Sequence, residues 1–204
     1  MSEKLPNRIP VFPLRNAIFF PETNLPLNIF EQRYLEMIDF ALKSNRLIGM
    51  IQNDKNNKLY SIGCVGKLNS FSETDDGRYV INLIGKNYFR ISKKLPKTYK
   101  FITAEIEIIL DKKELALNKL NKFNKDVLLE KYKKFNNSRG IKVDLDILNQ
   151  INNDELIKFV AMSCPFSTED KQMLLETFNI YDLGNKLISL FDFYDKSNVN
   201  NSLN

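Results

Sequence analysis

The sequence predicts an α+β protein: a small, strongly curved, largely antiparallel sheet with one helix through residue 110, then a helical part over 111–196. Three observations carry this. Aromatic and β-branched runs in the first hundred residues are cut by Pro and Gly, Asp75-Asp76-Gly77 marks a tight hairpin, and beyond Asp111 the apolar spacing becomes helical.

Taken in order, Arg8 to Phe12 is a short strand closed by Pro13, and Leu25 to Asn28 is a second, flanked by Pro21 and carrying Pro26. From Glu31 the spacing of Tyr34, Met37, Ile38, Ala41 and Leu42 predicts a helix over 31–44. Strands follow at 46–52, 60–71, 79–84, 88–92 and 101–109. Gly63 and Gly66 inside the long strand imply a bulge or bend that curls the sheet. The polar loop 53–58 reads as a flexible tip.

Past Asp111, the spacing of Leu117, Leu120, Asn124, Val127, Leu128, Tyr132 and Phe135 predicts one basic amphipathic helix of about 25 residues, ending near Gly140. Further helices are predicted over 154–164, stopped by Pro165, over 168–177, with Ser167 and Asp170 in capping relation, and over 182–194. Residues 197–204, rich in Asn and Ser, read as a frayed tail.

Composition narrows the chemistry. The 204 residues are 43% hydrophobic and 27% charged, enough apolar surface for a packed core. There is no His, which removes Ser-His-Asp and Cys-His catalysis and His-ligated metal. Two cysteines, Cys64 and Cys164, lie far apart among apolar neighbours and read as reduced core thiols, in keeping with a cytoplasmic protein. The N-terminus has no apolar signal core, and no uncharged run is long enough to span a bilayer. No phosphate-cradling G-x-x-x-x-G-K-[ST] or G-x-G-x-x-G loop occurs, so no cofactor is predicted. Asp75-Asp76 reads as turn rather than catalytic pair, and a Ser-Lys dyad is a question of geometry that sequence leaves open.

Net charge is +5, but residues 86–142 carry 16 basic and 6 acidic groups, whereas 143–204 carry 4 and 10. A basic stretch is usually the solvated side of an amphipathic element. It also supplies an alternative function, RNA binding through Lys122, Lys125, Lys133 and Lys134, ranked below protein recognition.

The segment Ile9-Pro-Val-Phe-Pro-Leu-Arg-Asn-Ala-Ile-Phe-Phe-Pro21, continued by Leu25-Pro-Leu-Asn-Ile-Phe-Glu-Gln-Arg-Tyr34, closely resembles the N-terminal substrate-binding domain of the ATP-dependent Lon protease. Arg46 to Gln52, Gly63-Cys-Val-Gly66, Asp76-Gly-Arg-Tyr79, Phe89-Arg-Ile91 and Lys171-Gln-Met-Leu-Leu-Glu176 match the same family, so the resemblance covers about residues 8–195. Glu22, Asn28 and Gln32 depart from its usual Gly, His and Pro. The nucleotide-binding and Ser-Lys protease modules of a complete Lon protease have no counterpart in the chain, which therefore resembles a stand-alone, single-domain member.

The resemblance implies a PUA-like, six-stranded antiparallel pseudobarrel with one helix and a C-terminal helical bundle. It implies a non-catalytic module that binds polypeptide substrates or a partner protein, a Lon-type protease among them, and that presents substrates to a protease or regulates it. Pro10, Pro13, Pro21 and Pro26 would fix chain direction, and Phe12, Phe20, Ile29 and Phe30 would fill core. Arg15, Glu31 and Arg33 either pair internally or face a ligand. An apolar recognition patch needs exposed aromatics, so the binding residues singled out are Arg15, Phe19, Phe20, Arg33, Phe71 and Tyr99.

Overall fold

The structure, a computed structural model, describes residues 6–110 and 120–201, with side chains through Lys196. The described residues form two compact units, 6–110 with 165–175, and 120–164 with 176–201. The boundary predicted at 111 falls outside the described residues. Segment 165–175, assigned by that boundary to the helical part, belongs instead with the sheet.

In the first unit, β1 (Arg8–Pro13), β2 (Asn24–Ile29), α1 (Gln32–Leu42), β3 (Leu47–Asn53), β4 (Leu59–Glu73), β5 (Tyr79–Lys94) and β6 (Ile102–Ile109) follow the predicted order. The sheet order is β2-β5-β4-β3-β1-β6. All pairings are antiparallel except one: β1 and β3 run parallel, with Val11 opposite Gly49. The reason is the connection between them, which contains α1 and returns the chain to the end where β1 began.

The strands predicted at 79–84 and 88–92 are one strand. β5 pairs with β4 along one edge, while its other edge pairs with β2 over 79–84 and with β6 over 88–94. The sheet thus curls back on itself as a pseudobarrel without closing into a barrel. Register shifts at Val65/Gly66 and Leu68/Ser70 supply the bend. Gly85 lets the strand run through unbroken because the 20–22 turn crosses it at backbone distance: a Cβ there would lie 1.9 Å from the Phe20 carbonyl oxygen. At the hairpin tip, Gly77 takes φ +80° and its N–H donates to the Thr74 carbonyl at 2.8 Å, the turn that Asp75-Asp76-Gly77 predicts. Ile9, Val11, Leu47, Ile51, Val65, Phe89, Ala104 and Ile106 form one core cluster.

Helix α5 (Thr168–Leu175) is seated on this sheet by polar contacts that no sequence period reveals. The fully buried Gln52 donates to the Thr168 carbonyl at 3.2 Å and to Gln172 Oε1 at 3.0 Å. Ser167 Oγ accepts from the Asp170 N–H at 3.0 Å, the predicted cap.

The second unit contains α2 (Lys125–Asn137), α3 (Leu145–Gln150), α4 (Asn153–Ser163) and α6 (Ile180–Asn201). Asn124, counted in the sequence as helix interior, is instead the N-cap of α2, its Oδ1 accepting from the Val127 N–H at 3.2 Å. The long basic helix therefore begins at 125, and the part of it predicted before Leu120 lies outside the described residues. Helix α3 went unpredicted because six residues carry too few turns to show a period. Helix α6 continues through Asn201, where a frayed tail was expected. Phe135 and Phe191, with ring centroids 5.1 Å apart, centre the core of this unit. Both cysteines are buried, and neither forms a disulfide among the described residues.

Candidate functional site

At one end of the sheet the strands leave a cleft of about 670 Å³, lined by the end of β1 and the turn after it, the end of β2, the start of α1, the β3–β4 turn, the end of β5 and the start of β6. Its walls are mixed: Phe12, Leu27, Ile29, Leu59 and Ile102 supply apolar surface, and Asn28, Asn53 and Asn57 stand among them with charged side chains. Phe30, expected in the core, instead stands at the cleft with 68% of its surface exposed. The period of β2 explains this: Leu25, Leu27 and Ile29 alternate with exposed Asn24, Pro26 and Asn28, and the chain turns into α1 directly after Ile29.

Arg15 and Arg33, both singled out in the sequence, line this cleft together. Arg15 sits in the turn after β1. That turn is held at Leu14, whose N–H donates to the Ile51 carbonyl at 2.8 Å, and at Asn16, whose carbonyl accepts from Lys171 Nζ at 2.9 Å and whose Oδ1 accepts from the Thr168 hydroxyl. Helix α5 thereby fixes the backbone that presents Arg15. Arg33 is committed locally: its Nε and Nη2 lie 2.9 and 2.7 Å from Glu31 Oε2, and its guanidinium rests 4.5 Å from the Tyr34 ring centroid. Tyr34 packs on Phe12 with centroids 4.3 Å apart, and burial pushes its hydroxyl pKa upward.

Lys94, at the end of β5, completes the charged lining. Three cations and one carboxylate, Glu31, leave the cleft at 3 − 1 = +2. The side chains of Arg15 and Lys94 have no hydrogen-bond or ion-pair partner among the described residues. The loop 53–58, which adds Asn53 and Asn57 to the lining, is a hydrogen-bonded turn. Asp54 Oδ1 accepts from the Asn56 and Lys58 N–H groups at 2.8 Å each, and Asn53 Nδ2 donates to Asn57 Oδ1 at 3.0 Å.

The other residues singled out are elsewhere. Phe19 and Phe20 are 2% and 0% exposed, packed in the core where no surface partner reaches them. Phe71, 39% exposed, makes an edge contact with Tyr79 at 4.7 Å on the β4–β5 hairpin. Tyr99, 45% exposed, stacks on Phe101 at 4.9 Å and leans on Phe40 at 5.1 Å. Neither lines the cleft. Phe30 was legible from the β2 alternation, whereas Lys94, Asn28 and Ile102 carry no local signal.

The basic residues of the second unit are largely spent on structure. Lys125 Nζ donates to the Asn149 and Ile151 carbonyls at 2.8 and 2.6 Å, satisfying the end of α3. Lys131 pairs with Asp192, and Lys134 lies 2.8 Å from Asp195, which pushes the Lys134 pKa up. Among the described residues no group of three or more His, Cys, Asp or Glu could hold a metal ion, and no helix is long and apolar enough to cross a membrane.

The profile of the ATP-dependent protease La (LON) substrate-binding domain matches residues 8–192. The chain is 25% identical over 202 residues to the Lon protease of Buchnera aphidicola subsp. Baizongia pistaciae, covering 90% of this chain and 24% of that one. It is 28% identical over 192 residues to the Lon protease of Buchnera aphidicola subsp. Acyrthosiphon pisum, covering 85% and 23%. It thus spans about a quarter of the length of these curated relatives. In fold it is similar to a Lon N-terminal domain protein from Xanthomonas campestris, with TM-score 0.63, 17% identity and coverage of 89% and 97%. The N-terminal domain of the Mycobacterium avium complex Lon protease gives TM-score 0.63, 16% identity and coverage of 91% and 98%.

Proposed function

The chain belongs to the ATP-dependent protease La (LON) substrate-binding domain family, and from that premise we propose that it recognises polypeptides, without chemistry of its own, through the cleft at the end of its sheet. The observation that carries this is the exposed Phe30 at a cleft of about 670 Å³ whose lining includes the apolar Phe12, Leu27, Ile29, Leu59 and Ile102. An exposed aromatic next to a preformed apolar recess is the arrangement that desolvates a partner's side chain. The edge strand β2 pairs only with β5 among the described residues, and its last residues line the cleft, so an extended segment can lie alongside it. In this reading the protein works in the cytoplasm, needs no cofactor or nucleotide, and presents bound polypeptides to a Lon-type protease or regulates it.

Fluorescence anisotropy with labelled apolar peptides tests it. The protein binds them without nucleotide at micromolar concentrations, and Phe30→Ser weakens binding at least about tenfold, the loss of one well-buried anchor contact. Absence of binding at high micromolar concentration, or equal binding by Phe30→Ser, overturns it.

A further inference from the structure

We infer that the polypeptide this cleft takes is an acidic one: an extended segment in which Asp or Glu side chains flank an apolar residue, the carboxylates meeting Arg15 and Lys94 while the apolar side chain enters beside Phe30. The inference rests on the polypeptide-recognition reading and adds the charge of the ligand to it.

The argument is one of complementarity. Of the three cations lining the cleft, Arg33 is already neutralised by Glu31 and covered by Tyr34 contact, so its charge is spent internally. Among the described residues Arg15 and Lys94 have no such counter-charge, and Glu31 is the only carboxylate in the lining. Two unpaired cations beside low-dielectric walls raise the local potential more than the same charges on an open surface. They favour an anionic ligand and disfavour a basic one, which gives specificity on top of the apolar contacts.

The placement of the two cations selects side-chain carboxylates over a chain end. Arg15 follows β1 and Lys94 ends β5, so the cations belong to different strands, and two separate anchors suit charges spaced along a segment rather than one terminal carboxylate. Leu27, Ile29, Leu59 and Ile102 give the lining aliphatic surface, which suits an apolar peptide side chain between the charged positions. Arg15 is also the residue whose turn is clamped by Lys171 and Thr168, so its backbone is held in place before any ligand arrives.

The test uses two labelled peptides of identical apolar sequence, one with two Glu, the other with Gln at those positions, each C-terminally amidated and free. The protein should bind the Glu peptide about tenfold more tightly, as two part-desolvated ion pairs imply, with amidation making no difference. Arg15→Gln/Lys94→Gln should narrow that ratio to below about twofold, while Lys122→Gln/Lys133→Gln, two exposed lysines of the other unit, should leave it unchanged. Equal affinity for the Glu and Gln peptides overturns the inference and leaves the polypeptide reading standing. So does a ratio lost equally in the Lys122/Lys133 variant, dependence on a free C-terminus, or displacement of the Glu peptide by an equimolar uridine oligomer. If neither peptide binds, the polypeptide reading falls and takes this inference with it.

Discussion

Gln52 and Gln172 lie 120 residues apart in the chain and meet inside the first unit, Gln52 Nε2 donating to Gln172 Oε1 at 3.0 Å. Gln172 Nε2 in turn donates to the Ile62 carbonyl at 3.2 Å. The pair ties α5 to the sheet where both side chains are buried, and there each hydrogen bond left unmade is costly.

We predict that Gln172→Leu costs about 1–3 kcal/mol, because the Ile62 carbonyl loses a buried donor. Gln52→Leu falls in the same range: it removes the donor to the Thr168 carbonyl and to Gln172 Oε1, and with it an Oε1 that has no partner among the described residues. In urea denaturation the double variant should cost less than the two singles together by at least about 0.5 kcal/mol. Strict additivity would show that the two side chains act separately.

Neighbouring phenylalanines separate stability from recognition. Phe20→Ala should cost about 3–5 kcal/mol, the penalty for emptying a fully buried aromatic site. Phe30→Ala should change stability by no more than about 0.5 kcal/mol, since most of its ring is already in water. Thermal melts of both variants check this, and an unfolded Phe30→Ala would contradict the cleft geometry.

Two glycines differ in what they cannot tolerate. Gly85→Ala should cost about 3 kcal/mol, because its Cβ would enter the van der Waals space of the Phe20 carbonyl, a backbone atom that cannot rotate away. Gly77→Ala meets open space and should cost only about 1–2 kcal/mol for its left-handed φ. Reversed order in chemical denaturation would argue that the 20–22 turn moves freely.

At the hairpin tip, hydrogen bonds from Arg78 and from the Thr74 hydroxyl hold the Asp76 carboxyl well below its ordinary value of 3.8. A folded carboxyl with depressed pKa stabilises its turn above the unfolded value, and that contribution fades as pH falls below 3.8 toward the folded midpoint. Carboxyl-carbon NMR should find Asp76 among the last aspartates to protonate, and Arg78→Gln should return it toward the ordinary range. A midpoint at or above 3.8 in the unaltered protein would rule the interaction out.

Much of the fold was legible because it is local. Strand order, the Asp75-Asp76-Gly77 hairpin, α1 and the Ser167 cap each follow from period, turn chemistry or capping preference within a few residues. Where the expectation failed, two uses of one residue type competed. Asn124 fits a helical period and also caps, and capping prevailed because its Oδ1 satisfies an N–H that the helix cannot. Phe19, Phe20 and Phe30 are alike in composition, and only the direction each side chain takes from the backbone decides which one reaches the surface.

By itself the sequence determined the α+β class, the succession of a strand-rich part and a helical part, and a motif set that resembles one family. It also placed Arg15 and Arg33 among the residues to examine. Only the tertiary structure decided that these two share a cleft with Lys94 and Phe30, that α5 belongs with the sheet, and that most basic groups of α2 serve carbonyls and aspartates of their own unit. The reason is physical: local propensity acts over a few residues, whereas a cleft is assembled by strand pairings and buried hydrogen bonds between residues as far apart as Asn16 and Lys171, whose meeting no short window of sequence records.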